Sequence, residues 1–223
     1  MWIRLLKILF FALIVRPVVL IVLGLNIRNK QWLPETGPAV IVANHNSHLD
    51  TLVLMSLYPL SQIHKVRPVA AADYFLKHKA LAWFALNIIG IIPLDRSNFK
   101  RDLFKQCHEA LDRGDILLIF PEGSRGNAEQ LSKLKGGVHH LLKDGRSNTP
   151  VCPVMLHGLG MALPKGTALL VPYNCDVIIG EPTTIPNSSR EFIEQLAETF
   201  QQLSLQCLTR HQALDDSTSK EAD

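Results

Sequence analysis

The chain has 223 residues, of which 47% are hydrophobic and 19% charged, and its formal net charge is +3. This length suits one domain with a sizeable core, and the composition is apolar for a freely soluble protein. The small net charge, without interleaved basic and aromatic residues, argues against nucleic acid as a partner.

The first thirty residues form an apolar stretch with five Lys or Arg and no acidic residue. Arg16 and Pro17 interrupt this stretch and leave apolar runs at 8–15 and 17–25. A spanning helix needs roughly 20 apolar residues with few charges. We therefore predict two short helices in one leaflet, with Arg16, Arg28 and Lys30 at anionic headgroups. A single tilted span and a buried core helix are the alternatives.

Short apolar runs then alternate with helical patterns through the rest of the chain. We predict strands at 39–43, 67–72, 90–94, 115–120, 151–156 and 175–180. Such alternation is typical of an α/β fold with a mostly parallel central sheet flanked by helices. We assign 1–30 to an N-terminal membrane-associated helical segment, 31–212 to the α/β domain and 213–223 to a polar, disordered tail.

Three polar clusters fall at predicted strand ends, where the site of a parallel sheet usually lies. The first, NHNSHLD, contains His45 and Asp50. In a regular helix these side chains would point about 140 degrees apart, so they meet only if a turn leads into a helix. A carboxylate bonded to one imidazole nitrogen leaves the other nitrogen as a base. His48, two residues before Asp50, is the rival for this base.

A histidine and its carboxylate partner are two members of a catalytic triad, but the nucleophile is missing. The sequence has no G-x-S-x-G motif that would supply it. We therefore expect the base to act on a substrate hydroxyl without a covalent intermediate. The other clusters, PLDRS and FPEGSRG, place Arg96 and Arg125 beyond strand ends. Guanidinium groups suit phosphate, and two of them with a poised histidine favour an anionic substrate. A solvated surface charge is the alternative for each arginine alone.

The sequence gives no indication of a metal site. Its four cysteines are scattered without C-x-x-C spacing, at Cys107, Cys152, Cys175 and Cys207, so we predict buried thiols rather than disulfides or zinc ligands. The adjacent His139 and His140 would point to different faces of a helix.

Four blocks in order, at 45–50, 90–96, 120–125 and 151–154, resemble the glycerolipid acyltransferases, the family that includes lysophosphatidic acid acyltransferase. The resemblance implies that His45 is the general base and Asp50 its orienting partner. It also implies a substrate-binding set of Asp95, Arg96, Glu122, Gly123, Ser124, Arg125 and Pro153, with Pro153 in the wall of the acyl site. Lys135, in KLKGG, is a further candidate phosphate ligand, and a plain polar loop is its alternative.

The resemblance implies transfer of a fatty acyl group from acyl-CoA or acyl-carrier protein to a lysophospholipid hydroxyl. The expected acceptor is 1-acyl-sn-glycerol-3-phosphate and the product phosphatidic acid, with the thioester as a substrate and no cofactor or metal. We expect an enzyme bound to the lipid bilayer at the cytoplasmic face of the inner (plasma) membrane. The alternatives are another lysolipid or glycerol 3-phosphate as acceptor, a lipid-binding protein, and a membrane-bound esterase. LHGLG at 156–160 supports the esterase, because it resembles an oxyanion-hole turn.

Overall fold

A computed structural model describes residues 2–75, 78–95, 103–126, 129–164 and 169–210. The strands in these ranges are β1 (Leu23–Arg28), β2 (Ala39–Ala43), β3 (Val66–Ala71), β4 (Ile92–Leu94), β5 (Ile116–Ile119), β6 (Val151–His157) and β7 (Tyr173–Ile179). They form one sheet in the order β1-β7-β6-β2-β5-β3-β4. Within the described ranges β6 and β7 pair antiparallel and the other neighbours pair parallel, which confirms the mostly parallel sheet.

Helices cover both faces of this sheet. They are α1 (Trp2–Val22), α2 (Leu49–Ser56), α3 (Ala72–Phe75), α4 (Lys79–Ile89), α5 (Lys105–Asp112), α6 (Gly137–Leu142), α7 (Leu159–Ala162) and α8 (Ser189–Ser204). One core cluster joins Ile41 of β2 to α1, α2 and α7, and the other joins Val40 and Val42 to α5, α6 and α8. Because β2 is buried on both faces, it appears in the sequence as an unbroken apolar run.

Strand β1 is absent from the sequence-based prediction, which places residues 23–28 in the N-terminal helical segment. In the structure β1 pairs parallel with β7, from Leu23 opposite Tyr173 to Arg28 opposite Ile178. Its sequence, LGLNIR, contains glycine and asparagine and has little strand propensity of its own. Pairing with a strand far along the chain therefore decides its conformation.

Helix α1 is continuous, whereas the sequence predicts two short helices. Arg16 and Pro17 lie between two π-helical turns, Phe11–Val15 and Val18–Val22. Proline cannot donate the backbone hydrogen bond of a regular helix, and the wider π turns accommodate it without ending the helix. The Arg16 guanidinium donates to the Tyr58 carbonyl oxygen at 3.0 Å, so this charge anchors α1 to the domain.

Helix α1 has a buried apolar side and an exposed apolar side. Phe11, Val15 and Val19 belong to the core, whereas Leu20 and Ile21 are 73% and 81% exposed. Among the described residues, α1 is the one helix long and apolar enough to cross a membrane. An exposed apolar surface of this extent favours contact with a bilayer. The N-terminal helix thus supports membrane association while it also completes the core.

The two sides of α1 differ in their expected effect on stability. Phe11→Ala removes a fully buried ring and should lower the free energy of unfolding by about 3–5 kcal/mol. Leu13→Ala, in the same helix at a residue 69% exposed, should change it by less than about 0.5 kcal/mol. Denaturation of the detergent-solubilised protein measures both. A loss of unfolding free energy in Phe11→Ala as small as that in Leu13→Ala would show that α1 is not part of the core.

Candidate active site

The turn that carries His45 is anchored by the side chain of Asn44. Asn44 Nδ2 donates to the Leu156 carbonyl oxygen at 2.8 Å, and Asn44 Oδ1 accepts from the Leu156 amide at 2.7 Å. These two bonds extend the pairing of β2 with β6 by one step, through a side chain instead of the backbone. The residue immediately before His45 is therefore fixed to the neighbouring strand.

His45 and Asp50 meet as the sequence predicts, through a turn that leads into α2. His45 Nδ1 lies 2.8 Å from Asp50 Oδ2. The same oxygen accepts from the backbone amides of Asn46 and Ser47 at 2.7 and 2.9 Å. The carboxylate is fully buried in the first turn of α2, where the positive end of the helix dipole favours its charge.

The other nitrogen of His45 is available for chemistry. With Nδ1–H donated to Asp50, Nε2 carries a lone pair. Among the described residues no polar group is bonded to Nε2, and the ring lines an open cleft. Phe120 stacks on the imidazole with ring centroids 4.0 Å apart. The carboxylate and the phenyl ring together fix the orientation of a base that faces the cleft.

Glu122 connects the loop after β5 to His45. Its Oε1 accepts from the His45 amide at 2.7 Å, and its Oε2 accepts from the Ser132 amide at 3.0 Å. The Gly126 amide in turn donates to the His45 carbonyl oxygen at 3.1 Å. Because Glu122 is buried and both its oxygens bind backbone amides, this geometry supports a positioning role. The contact with substrate that the family resemblance implies stays a prediction.

The cleft has a volume of about 520 Å³ and is lined by both polar and apolar residues. Its polar lining residues are His45, His48, Thr51, Asp73, Ser124 and Arg125. Its apolar wall includes Leu52, Val69, Phe75, Leu81, Phe84, Ile89 and Phe120. All of these polar residues except Asp73 follow the carboxyl ends of β2 and β5, the usual place for a site in a parallel sheet. A ligand with a charged head and a hydrocarbon chain matches this lining.

Three of the other predicted residues, Gly123, Ser124 and Arg125, line the cleft with His45. Gly123 has φ +74°, a left-handed conformation that glycine adopts without strain. This conformation turns the loop after β5 so that Ser124 and Arg125 follow it along the cleft. The structure thus brings together most of the third block and the base.

The remaining predicted residues lie elsewhere. Asp95 is exposed just after β4. Lys135 is exposed, and its amide donates to the Pro121 carbonyl oxygen at 2.9 Å. Pro153 is buried within β6. These three are not among the residues that line the described cleft. Arg96 lies outside the described residues, as does the predicted tail at 213–223. Their substrate-binding roles stay predictions.

His48 stands at the exposed rim of the same cleft. Partial desolvation and then the nearby Arg125 guanidinium lower the pKa of its imidazole, and the Asp50 carboxylate opposes them. Asp50 Oδ2, which accepts from the amides of Asn46 and Ser47, is hydrogen-bonded to the imidazole of His45. This geometry favours His45 over His48 as the base.

Two residues of the site carry no functional assignment in the sequence-based prediction. Asn44 and Phe120 hold the backbone and the ring of His45. Asn44 adjoins the first block and Phe120 begins the third, so both lie in segments already marked as functional. Spacing along the chain does not indicate that Asn44 would pair with β6 or that Phe120 would stack on an imidazole.

The LHGLG segment does not form an open oxyanion hole. Gly158 precedes α7, and the Gly160 amide donates to Glu129 Oε1 at 3.2 Å. The Gly160 amide, one of the donors that an esterase would need for its oxyanion, is thus occupied by a side chain. This arrangement argues against the esterase alternative.

The comparisons with known proteins agree on one family. The sequence profile of a family described as Acyltransferase matches residues 24–157. The 1-acyl-sn-glycerol-3-phosphate acyltransferase of Pseudomonas aeruginosa is 34% identical over 160 residues, which are 70% of this chain and 57% of that protein. The chloroplastic 1-acyl-sn-glycerol-3-phosphate acyltransferase LPAT1 of Arabidopsis thaliana is 30% identical over 162 residues, which are 71% of this chain and 43% of that protein. The chain thus matches about half the length of these curated relatives.

A solved structure shows the same fold. The crystal structure of the 1-acyl-sn-glycerophosphate (LPA) acyltransferase PlsC from Thermotoga maritima superposes with a TM-score of 0.70. The match covers 91% of this chain and 78% of that one, at 18% sequence identity. The overlap extends beyond the residues that the family profile matches.

The positioning role of Glu122 has a measurable consequence. In Glu122→Gln an amide N–H must face one of the two backbone N–H groups that the carboxylate now accepts. The free energy of unfolding should fall by about 1–3 kcal/mol. Ser124→Ala, an exposed change in the same loop, should alter it by less than about 0.5 kcal/mol. Denaturation of both detergent-solubilised variants tests this. An unchanged free energy of unfolding in Glu122→Gln would contradict the hydrogen bonds of Glu122 with the His45 and Ser132 amides.

Proposed function

Since the chain belongs to the acyltransferase family, we propose that it transfers a fatty acyl group from a thioester to the free hydroxyl of 1-acyl-sn-glycerol-3-phosphate. The product would be phosphatidic acid. The observation that carries this proposal is the His45–Asp50 pair, 2.8 Å apart, with the second imidazole nitrogen facing an amphipathic cleft. The names of the curated relatives support the same acceptor.

In the proposed reaction His45 acts as a general base on the acceptor. Nε2 takes the proton of the acceptor hydroxyl as its oxygen attacks the thioester carbonyl carbon. The buried Asp50 carboxylate stabilises the imidazolium that forms. The carbon–sulfur bond then breaks, and His45 returns the proton to the leaving thiolate. The thioester is already activated, so the proposed chemistry uses no cofactor and no metal.

Arg125 is the proposed ligand of the acceptor phosphate. Arg125 lines the cleft with Gly123 and Ser124, and a planar fork of donors suits a phosphate group. Much of the apolar lining belongs to α3 and α4, where hydrocarbon chains would lie. This mixed lining of the cleft supports a lysophospholipid over a wholly polar acceptor.

The cleft also adjoins the apolar surface of the protein. Leu81 of α4 is exposed and lines the cleft, and Trp83 and Leu86 of the same helix are exposed as well. With the exposed side of α1, these residues support docking on a bilayer, so that the lysolipid would enter from the membrane. Acyl-CoA and acyl-carrier protein are water-soluble donors, and we place the site on the cytoplasmic face of the inner membrane for that reason.

The assignment of the base is tested by acyl transfer from labelled acyl-CoA and acyl-carrier protein to a panel of lysophosphatidate, other lysophospholipids and glycerol 3-phosphate. His45→Ala and Asp50→Asn should each lower the rate by about 10³-fold, because the proton acceptor or its orienting partner is lost. His48→Ala should stay within about tenfold of the wild type, since His48 is not the base. An inactive His48→Ala beside an active His45→Ala would reverse the assignment.

The phosphate role of Arg125 is tested by separating acceptor from donor kinetics. Arg125→Ala should raise KM for lysophosphatidate by about 10- to 100-fold, because charge-assisted hydrogen bonds to phosphate are lost. KM for the thioester should change far less. In Arg125→Lys, KM for lysophosphatidate should lie between the values for the wild type and Arg125→Ala. Equal losses for acceptor and donor would contradict the phosphate role.

A further inference from the structure

A second group of buried titratable side chains lies close to the proposed catalytic pair. It consists of the partly buried Glu129, His157 of β6, Asp176 of β7 and the hydroxyl group of Thr209 that links the last two. Asp176 is fully buried, His157 and Thr209 are nearly so, and Asp50 lies within electrostatic range of Glu129. The proposed reaction uses none of these four residues.

The hydrogen bonds of Asp176 fix the direction of the hydrogen bond between Thr209 and His157. Its Oδ2 accepts from the amide and the hydroxyl of Thr209 at 2.9 and 2.6 Å, and its Oδ1 accepts from Asn26 Nδ2 at 2.6 Å. Burial acts to raise the pKa of Asp176, but the bonds from Thr209 and Asn26 outweigh it and hold the pKa below its usual value. Asp176 is therefore ionised, and the Thr209 hydroxyl proton is directed to it.

The Thr209 hydroxyl oxygen must consequently accept a hydrogen bond from His157. His157 Nδ1 lies 2.6 Å from Thr209 Oγ1, so Nδ1 carries a hydrogen. Burial, and to a lesser extent Arg210, lowers the pKa of His157, although Asp176 opposes them. The neutral ring then has an unprotonated Nε2, which can only accept.

Glu129 faces that acceptor with an oxygen that has no donor. Glu129 Oε2 lies 3.5 Å from His157 Nε2, is buried, and has no hydrogen-bond partner among the described residues. Its other oxygen accepts from the Gly160 amide at 3.2 Å. Two lone pairs facing each other in a buried site are unfavourable. One proton between Oε2 and Nε2 satisfies both atoms.

The charges around Glu129 favour the neutral acid. Burial raises its pKa, the amides of Gly158 and Gly160 lower it, and Asp50 and Asp176 raise it further. The groups that face this pair are Asp50 on α2, Asp176 and Cys175 on β7, and Arg210 beside His157. Asp50 has a hydrogen-bonded imidazole and two amides, and Asp176 has several donors. Glu129 is the carboxyl group with the poorest set of donors.

We propose that Glu129 is a neutral carboxylic acid that donates a hydrogen bond to His157 Nε2, and that it is a positioning residue that adds no negative charge beside Asp50. Asp50 Oδ1 is buried and has no hydrogen-bond partner among the described residues, so a second negative charge nearby would not be screened. An ionised Glu129 would favour the imidazolium form of His45 and withdraw the base. This role rests on the proposed function, whereas the proton on Glu129 does not.

Glu129→Gln tests the proton without any assay of activity. The amide can donate to His157 Nε2 and accept from the Gly160 amide, as the neutral acid does. The wild type must keep Glu129 protonated in the folded state as pH rises above the ordinary glutamate pKa of about 4.3, at a cost that grows with pH. The Tm of Glu129→Gln in detergent should therefore match the wild type below that pH and exceed it progressively above, up to the folded-state pKa. A variant that is less stable at neutral pH would overturn the proposal.

Infrared difference spectra give a second, direct readout. Wild type minus Glu129→Gln at neutral pH should show the carbonyl stretch of a protonated carboxyl group. Wild type minus Glu122→Gln is the matched control for a buried carboxyl group whose oxygens both accept amide bonds, and it should show carboxylate bands. Carboxylate bands in the Glu129 spectrum would overturn the proposal.

The role beside Asp50 is tested by the pH dependence of acyl transfer. The acidic limb of kcat/KM should coincide in wild type and Glu129→Gln, because both are neutral at this position. Glu129→Ala should lose stability and activity, and Gln should restore both. An acidic limb displaced to lower pH in Glu129→Gln would show that the wild-type residue is ionised and would overturn the proposal. An inactive wild type would refute the proposed function and with it the positioning role, while Tm and infrared spectra still decide the proton.

Discussion

The site depends on one buried charge, the carboxylate of Asp50. A carboxylate with no exposure is unfavourable unless donors surround it, and the turn before α2 supplies two amides and an imidazole to a single oxygen. The turn begins at Asn44, whose side chain holds the end of β2 to β6. The charge, the turn and the strand end are therefore one structural unit, and the orientation of His45 follows from it.

The order of strands brings the second half of the site to the same place. β2 and β5 are parallel neighbours, so the loops that follow them leave the sheet at one edge. Glu122 can then bond the His45 amide although 77 residues separate them in the chain. β3 lies next to β5, and its end with α3 and α4 closes the apolar side of the cleft. A mostly parallel sheet thus places an amphipathic cleft directly over the base.

The sequence predicts the α/β class because β2, β5 and β6 are continuous apolar runs between helical patterns. It also predicts the contact of His45 with Asp50, since that contact is local and needs only a turn. The role of Asn44, 112 residues from its partner, is set by strand pairing that residue spacing does not encode. Strand β1 and the continuity of α1 through Pro17 are missed for the same reason, because tertiary contacts override a weak local pattern.

The central claim is that His45 activates the acceptor directly and that the acyl group never rests on the protein. The most direct test incubates the purified protein with a thioester donor labelled in its acyl group, without acceptor, and quenches the mixture under denaturing conditions. The account predicts no label on the protein, and prompt transfer of label to lysophosphatidate when that acceptor is added before the quench. Stoichiometric labelling of the protein in the absence of acceptor would reveal a covalent intermediate and contradict the account.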